Sequence, residues 1–436
     1  MTHPHSPLPH WDMTTVYPSL ESPEFAAGFR SVIGAIARLG ELFDRHGVAK
    51  RQPAPLDEAT VQAFETVVRA MNAVLEEMRT VSVYINSFVS TDSRNNLAQA
   101  RQSELQQNAV RLTTLGTRLT AWIGSLDVEA LLARSALARE HAFMLRKAKI
   151  EAAHQMSPAE EELAAEMRLT GATAWQKLHG NFTSQLLVKV ELDGKVQELP
   201  MSVVRNLASH QDRQVRRRAY EAEMAAWRSA AVPLAAALNS IKGATNLLSK
   251  RRRWDSPLEA ALFENNIDRP TLEAMLAAAQ ESFPDFRRYL RAKARALGLP
   301  VLAWYDIAAP LGSGERAWTF DEGAQFIVEQ FGSYSPKLHG LAERAFSQRW
   351  IDAEPRLGKR DGAFCMSLRQ DESRVLTNFK PAFGGVSTVA HELGHAYHNL
   401  NLAPRTMLQR QTPMTLAETA SIFCQTLVNQ AALRQA

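Results

Sequence analysis

A chain of 436 residues with 45% hydrophobic and 22% charged side chains is long enough for two or three core-forming units and ordinary for a soluble globular protein. Its 50 basic and 46 acidic residues leave a net charge of +4, too small to argue for a nucleic-acid partner, and no window approaches a membrane-spanning run. Cys365 and Cys424 form no CxxC pair and are too few for a disulfide framework; with an amino terminus that lacks the charged start and apolar core of a signal peptide, they point to the cytoplasm.

The polar, Pro-rich start from Met1 to His10 reads as a disordered leader, in which His3, His5 and His10 are weak metal binders at most. Apolar residues then recur at three- and four-residue steps (Val61, Phe64, Val67, Val68, Met71, Val74, Leu75, Met78, Val81) and predict a helix with one face on a core. Similar patterns run over 97–122, 157–178, 204–250 and 271–297. Ser157-Pro158-Ala159-Glu160 supplies an N-cap, a proline at the first helical position and a glutamate at the third, and Asp268-Arg269-Pro270-Thr271 opens another helix with similar signals. Between them, Gln185–Leu192 and Lys195–Leu199 flank Asp193-Gly194, the signature of a tight hairpin. The run Arg251-Arg252-Arg253 reads as a helix end rather than a phosphate site. A second strand pair is expected at Ala363–Leu368 and Arg374–Phe379, with its turn at Gln370–Ser373. The fold class is therefore mainly α, with small β-hairpins. A soft boundary near 200–210 separates a helical lobe over 1–205, containing the hairpin 185–199, from a region over 206–436.

The second region holds His391-Glu392-Leu393-Gly394-His395. Two histidines four residues apart share one helical face, so both imidazoles reach one metal ion, and Glu392 sits beside it to take a proton from water. Zinc is the expected ion, one per chain, since imidazoles plus a carboxylate with an open position are what catalytic zinc uses. Gly384-Gly385 offers a break from the strand before the helix. Gly394 costs the helix about 1 kcal/mol against alanine, and a close backbone approach at the metal face would explain it. His398 lies seven residues beyond His391, about 10 Å along a helix axis, so one metal cannot take both; it reads as a residue behind the ligands or on the substrate side. The third ligand must come from elsewhere. Pro404 and Pro413 bracket a loop, a second helix is expected from Thr415, and Glu418 is the candidate. Thr415 and Glu418 fit a capping box equally well, and the unfilled ligand position tips the reading to ligation.

His391-Glu-Leu-Gly-His395-Ala-Tyr-His398 followed by Glu418-Thr-Ala-Ser421 resembles the oligoendopeptidase F branch of the thimet-oligopeptidase-like metallopeptidases. Further landmarks occur in the family's order: Trp11-Asp12-Met13 with Val16-Tyr17-Pro18, then Ala174–Leu178, Leu258–Asn265 and Gly358–Phe364. The resemblance implies a two-lobed helical zincin whose lobes wall a channel for short unfolded peptides. It also implies His391, His395 and Glu418 as zinc ligands and Glu392 as general base and acid in cleaving internal peptide bonds.

Two departures are expected to matter. Family members continue well past the point where this sequence stops and there carry Tyr and His residues that stabilise the tetrahedral intermediate; Ser421 through Ala436 contains neither type. Losing even one oxyanion donor costs about 10²–10³ in rate, so a missing carboxyl-terminal segment, or a separate polypeptide, is expected to complete the site. Gln425 stands where the family commonly has an acid, two turns after Glu418; an amide can orient a ligand but adds no charge. The alternatives are a catalytically impaired homologue that binds zinc or peptide, and a related zinc carboxypeptidase. The second hairpin, just before the motif, is the candidate edge on which an extended peptide adds as a strand.

Overall fold

The computed structural model describes residues 7–311 and 316–435. Its elements are overwhelmingly helical, and among the described residues no helix is long and apolar enough to cross a membrane.

The predicted amphipathic stripe becomes the helix Glu58–Thr91, capped by Asp57, with Val61, Phe64, Val67, Val68, Met71 and Val81 buried. Helices Pro23–Arg45 and Asn96–Gly124 pack against it, and Phe25, Phe43, Phe64, Tyr84 and Trp122 are fully enclosed. Burying an aromatic or aliphatic side chain of this size is worth about 1.5–3 kcal/mol, so these residues dominate the first core.

The long pattern over 157–178 is two helices, Pro158–Thr170 and Ala172–Ser184, hinged at Gly171. The expected capping box at Ser157 and Glu160 is formed in both directions. Similarly, 204–250 divides into Met201–Asn206, Arg213–Ser229 and Ala231–Arg251. The arginine run does close a helix: Arg252 caps it and pairs with Glu161 at 2.7 Å, while Arg253 takes a positive φ.

Strand β1 (Leu187–Leu192) pairs antiparallel with β2 (Lys195–Pro200), and Asp193 and Gly194 both carry positive φ, as a type I′ turn requires. The second hairpin joins β4 (Phe364–Arg369) to β5 (Glu372–Leu376). Its turn is shorter than expected, since Glu372 and Ser373 already belong to β5 and Gln370 alone takes a positive φ. A parallel strand that sequence periodicity does not reveal, β3 (Ile351–Asp352), lies on the other side of β5, giving the order β3-β5-β4. Two residues are too few to show alternation.

This small sheet joins two cores. Leu368 and Leu376 are buried in the amino-terminal core with Phe364 and Met366 packed beside them, whereas Val375 and Cys365 belong to a second core. That second core gathers Phe326, Phe331, Leu341, Trp350, Val386, Val389, Leu393, Cys424 and Val428 around the helix Phe383–Leu402. A buried cation secures the sheet: Lys359 Nζ donates to the carbonyls of Asp352, Glu354 and Thr377 and lies 2.7 Å from the Asp352 carboxylate. Burial lowers the Lys359 pKa to about 8, against the pull of Asp352.

Two expectations change. The start of the chain is not a free leader throughout: Leu8 packs on the second core, the Pro9 carbonyl accepts from Ala353 N–H, and His10 sits 2.7 Å from Glu354. His3 and His5 lie outside the described residues. The pattern over 271–297 is the helix Arg269–Ala296, capped by Asp268, but Met275, Leu276, Phe283, Phe286 and Tyr289 on it are exposed rather than turned into a core.

Candidate active site

The motif helix starts at Phe383, so Gly384 and Gly385 lie inside its first turn rather than before it; a side chain at Gly385 would strike the Lys380 carbonyl. The helix packs most heavily on the last one, Thr419–Gln435. Gly394 sits at their closest approach. A Cβ there would lie 2.6 Å from both the Ala420 carbonyl oxygen and Ser421 Cα, so only glycine permits this helix spacing.

Glu418 is not the third residue of a capped helix. It terminates the short helix Met414–Ala417, which has no side-chain cap, and stands at the junction with the last helix. Asn265 holds this segment in place: its Oδ1 accepts from Met414 N–H and its carbonyl accepts from Thr415 Oγ1. Thr415 thus bonds away from Glu418, and Glu418 Oε2 points back to the motif helix, 3.1 Å from His391 Nε2 and 3.3 Å from His395 Nε2.

Those separations are chemically specific. Ligands bound at 2.0–2.1 Å to a tetrahedral zinc lie about 3.3 Å apart. One donor atom from each of His391, His395 and Glu418 falls within 4.8 Å of the other two, so the residues present fit a metal ion of that kind. The two imidazoles stand edge-to-face at 81°, their centroids 5.0 Å apart. His398 does not join the cluster.

The electrostatics follow from burial and neighbours. The Ser421 hydroxyl donates to Glu418 Oε2 at 2.6 Å and, ahead of the nearby histidines, holds the Glu418 carboxyl below its ordinary value. Burial lowers the His395 pKa, while the Glu418 charge and a hydrogen bond to the Ala417 backbone pull it upward. Glu392 is buried. Burial pushes its carboxyl up to about 8, with the Glu418 charge adding in the same direction. Its Oε2 has no hydrogen-bond partner among the described residues. Cys365 of β4 lies close enough to feel that charge, and its thiol is pushed up, chiefly by burial.

Several supporting residues escape the sequence reading. Asn265 belongs to a recognisable landmark, yet nothing local shows that it clamps residues 414–415. Asn399 donates to Ser373 Oγ and so ties the motif helix to β5. Behind His391, Gln425 Oε1 lies 3.0 Å from Nδ1. This last residue the sequence did signal, two turns beyond Glu418 and able to orient a ligand.

The chain is similar to known proteins over nearly its whole length. Over 98% of its length the chain is 23% identical to the "Oligoendopeptidase F homolog" of Lactococcus lactis subsp. lactis, covering 70% of that relative. A shorter match, 22% identical over 254 residues, is to "Oligopeptidase PepF" of Bacillus subtilis; it covers 57% of this chain and 38% of the relative. Among solved structures, oligoendopeptidase-F from Enterococcus faecium superposes with a TM-score of 0.63 over 95% of this chain and 68% of its own, at 15% identity. PZ peptidase A with an inhibitor gives 0.70 over 92% and 67%, at 12% identity. These structural likenesses concern the fold. A family model described as Oligopeptidase F matches residues 123–186. The model of peptidase family M3 matches residues 206–436, more than half of the chain and the whole of the site, and the protein belongs to that family.

Proposed function

We propose that the protein is a zinc-dependent oligoendopeptidase that hydrolyses internal bonds of short unfolded peptides. In this reading residues 206–436 carry the zinc site and residues 1–205 form the facing lobe. The observation that carries it is the convergence of His391 Nε2, His395 Nε2 and Glu418 Oε2 at the spacing of tetrahedral ligands. Zinc in that cluster supplies a Lewis acid that polarises a carbonyl and lowers the pKa of water toward about 7.

Glu392 does the proton work. Its unpartnered Oε2 accepts a proton from the attacking water as the oxygen bonds to the scissile carbonyl carbon. The same carboxyl then delivers that proton to the departing amine as the C–N bond breaks. Ser421 keeps Glu418 ionised as a ligand, so two nearby carboxyls divide the roles of ligand and base by environment.

The sheet edge supports the substrate reading. Val375 and Thr377 direct their N–H groups to β3, so Arg374 and Leu376 bond toward β4, and alternation leaves Cys365 and Ser367 with backbone groups facing away from the sheet. Arg79 occupies the Ser367 carbonyl, and the stretch around Cys365 lies beside the motif helix, where an extended peptide adds as a strand.

The test is zinc stoichiometry of the purified chain together with cleavage of an internally quenched, end-blocked peptide. One zinc per chain is expected, cleavage should be chelator-sensitive wherever the site is completed, and Glu392→Gln should keep the zinc while losing turnover. Wild-type rates in that variant would sink the role of Glu392. Cleavage confined to unblocked ends would indicate a carboxypeptidase instead.

A further inference from the structure

His391 is backed by an uninterrupted hydrogen-bonded relay between the two packed helices. Gln425 Oε1 lies 3.0 Å from His391 Nδ1, Gln425 Nε2 donates to Ser387 Oγ at 3.1 Å, and Ser387 Oγ donates to Asn429 Oδ1 at 2.9 Å. Ser387 and His391 are one turn apart on the motif helix, and Gln425 and Asn429 are one turn apart on the last helix, so the close approach at Gly394 brings the four together.

The polarity of the relay decides what His391 can do. A serine hydroxyl has one proton. Ser387 gives that proton to Asn429 and can therefore only accept from Gln425, which turns the amide NH₂ toward Ser387 and the amide carbonyl toward the imidazole. A carbonyl only accepts, so Nδ1 carries a hydrogen, and Nε2, which faces Glu418, is the nitrogen left to hold a metal. The reversed amide would donate to Nδ1 and move the hydrogen to Nε2, closing the ligand position.

We propose that Gln425, Ser387 and Asn429 are positioning residues that fix His391 in its ligating tautomer through an entirely uncharged relay. Metal-bound histidines commonly lean on a carboxylate, backbone carbonyl or water. Here a side-chain amide takes that place, and a serine and a second amide set its direction. Glu418 is thus left as the one carboxylate in the ligand set. The proposal rests on the zinc reading above and concerns this chain's own means of presenting a ligand.

Zinc affinity of the purified chain, measured by competition with a chromogenic chelator, tests it. ¹⁵N-histidine NMR of the metal-free protein reports the tautomer of His391 independently of any activity. Gln425→Ala is expected to weaken zinc binding about 10–100-fold and to let the His391 hydrogen redistribute between its two nitrogens. Gln425→Glu restores an acceptor and should bind at least as tightly as wild type. Ser387→Ala, which removes only the directing hydroxyl, should weaken binding several-fold and decides the matter should Gln425→Ala not fold. Affinities within twofold of wild type in both alanine variants, with an unchanged tautomer, would overturn the relay alone. A folded wild-type chain that takes up no zinc would instead overturn the zinc reading, and the relay with it.

Discussion

At Gly394 two opposing effects meet and their magnitudes differ. Helix propensity alone favours alanine there by about 1 kcal/mol. The added Cβ, however, would press on the backbone of Ala420 and Ser421, which cannot swing aside as a flexible side chain does. Forcing a methyl into such a contact costs about 1–3 kcal/mol, so Gly394→Ala should lower thermal stability and also weaken zinc binding, because the same helix spacing carries Glu418 to the histidines. An alanine variant more stable than wild type, with intact zinc affinity, would refute this. Glu392 makes a second prediction, on pH. Its folded pKa of about 8 lies above the ordinary glutamate value, so between about pH 4.5 and 8 the unfolded chain releases a proton that the metal-free fold retains. Stability of the metal-free protein should then fall with rising pH by up to about 1.4 kcal/mol per unit through that window. Glu392→Gln should flatten the slope, and urea denaturation at pH 5 and pH 8 checks it.

Among the elements, those whose partners are near in sequence were the legible ones. The stripe from Val61 to Val81, the cap at Ser157 and the Asp193-Gly194 turn each state their geometry within a few residues, and each element forms. The histidine pair is legible for the same reason, since i,i+4 spacing fixes both rings on one face. Glu418 was only half legible. Its spacing from Thr415 satisfies a capping box, and what decides against that is Asn265, a residue remote in sequence that claims the Thr415 hydroxyl. Ser387 and Asn429 stayed hidden because a relay between two helices has no local signature. The helix Arg269–Ala296 shows the converse: its period is plain, but periodicity alone does not say what an apolar face meets. Strand β3 was invisible at two residues, yet its Asp352 anchors the buried charge pair. Lys359→Met would leave the Asp352 carboxylate to Arg356 alone, at 2.7 Å, and take the ammonium donor from three carbonyls, of which that of Asp352 keeps Thr377 N–H and that of Glu354 keeps Arg356 Nη1. Removing one member of a buried pair costs about 3–5 kcal/mol, and a loss near that size is expected in chemical denaturation.

For the molecule as a whole, the sheet between the two cores governs how far its halves are independent. Leu376 is fully enclosed in the amino-terminal core while its neighbour Val375 is fully enclosed in the core behind the metal ligands. Leu376→Ala should cost about 2–5 kcal/mol and loosen both, so near-ultraviolet circular dichroism and zinc affinity should decline together on warming. Separate transitions, with the zinc site outlasting the amino-terminal core, would show the halves to be uncoupled. A strand with both faces committed also tolerates no frame error. Sliding β5 by one residue would exchange Val375 with Leu376 and present Arg374 to the wrong neighbours, a mistake that neither core could hide. Side chains from both sides of residue 200 thus share the amino-terminal core. Transplanting 206–436 into another host would carry along a row of orphaned apolar side chains, Phe364, Met366, Leu368 and Leu376, that only the native amino-terminal half is shaped to receive.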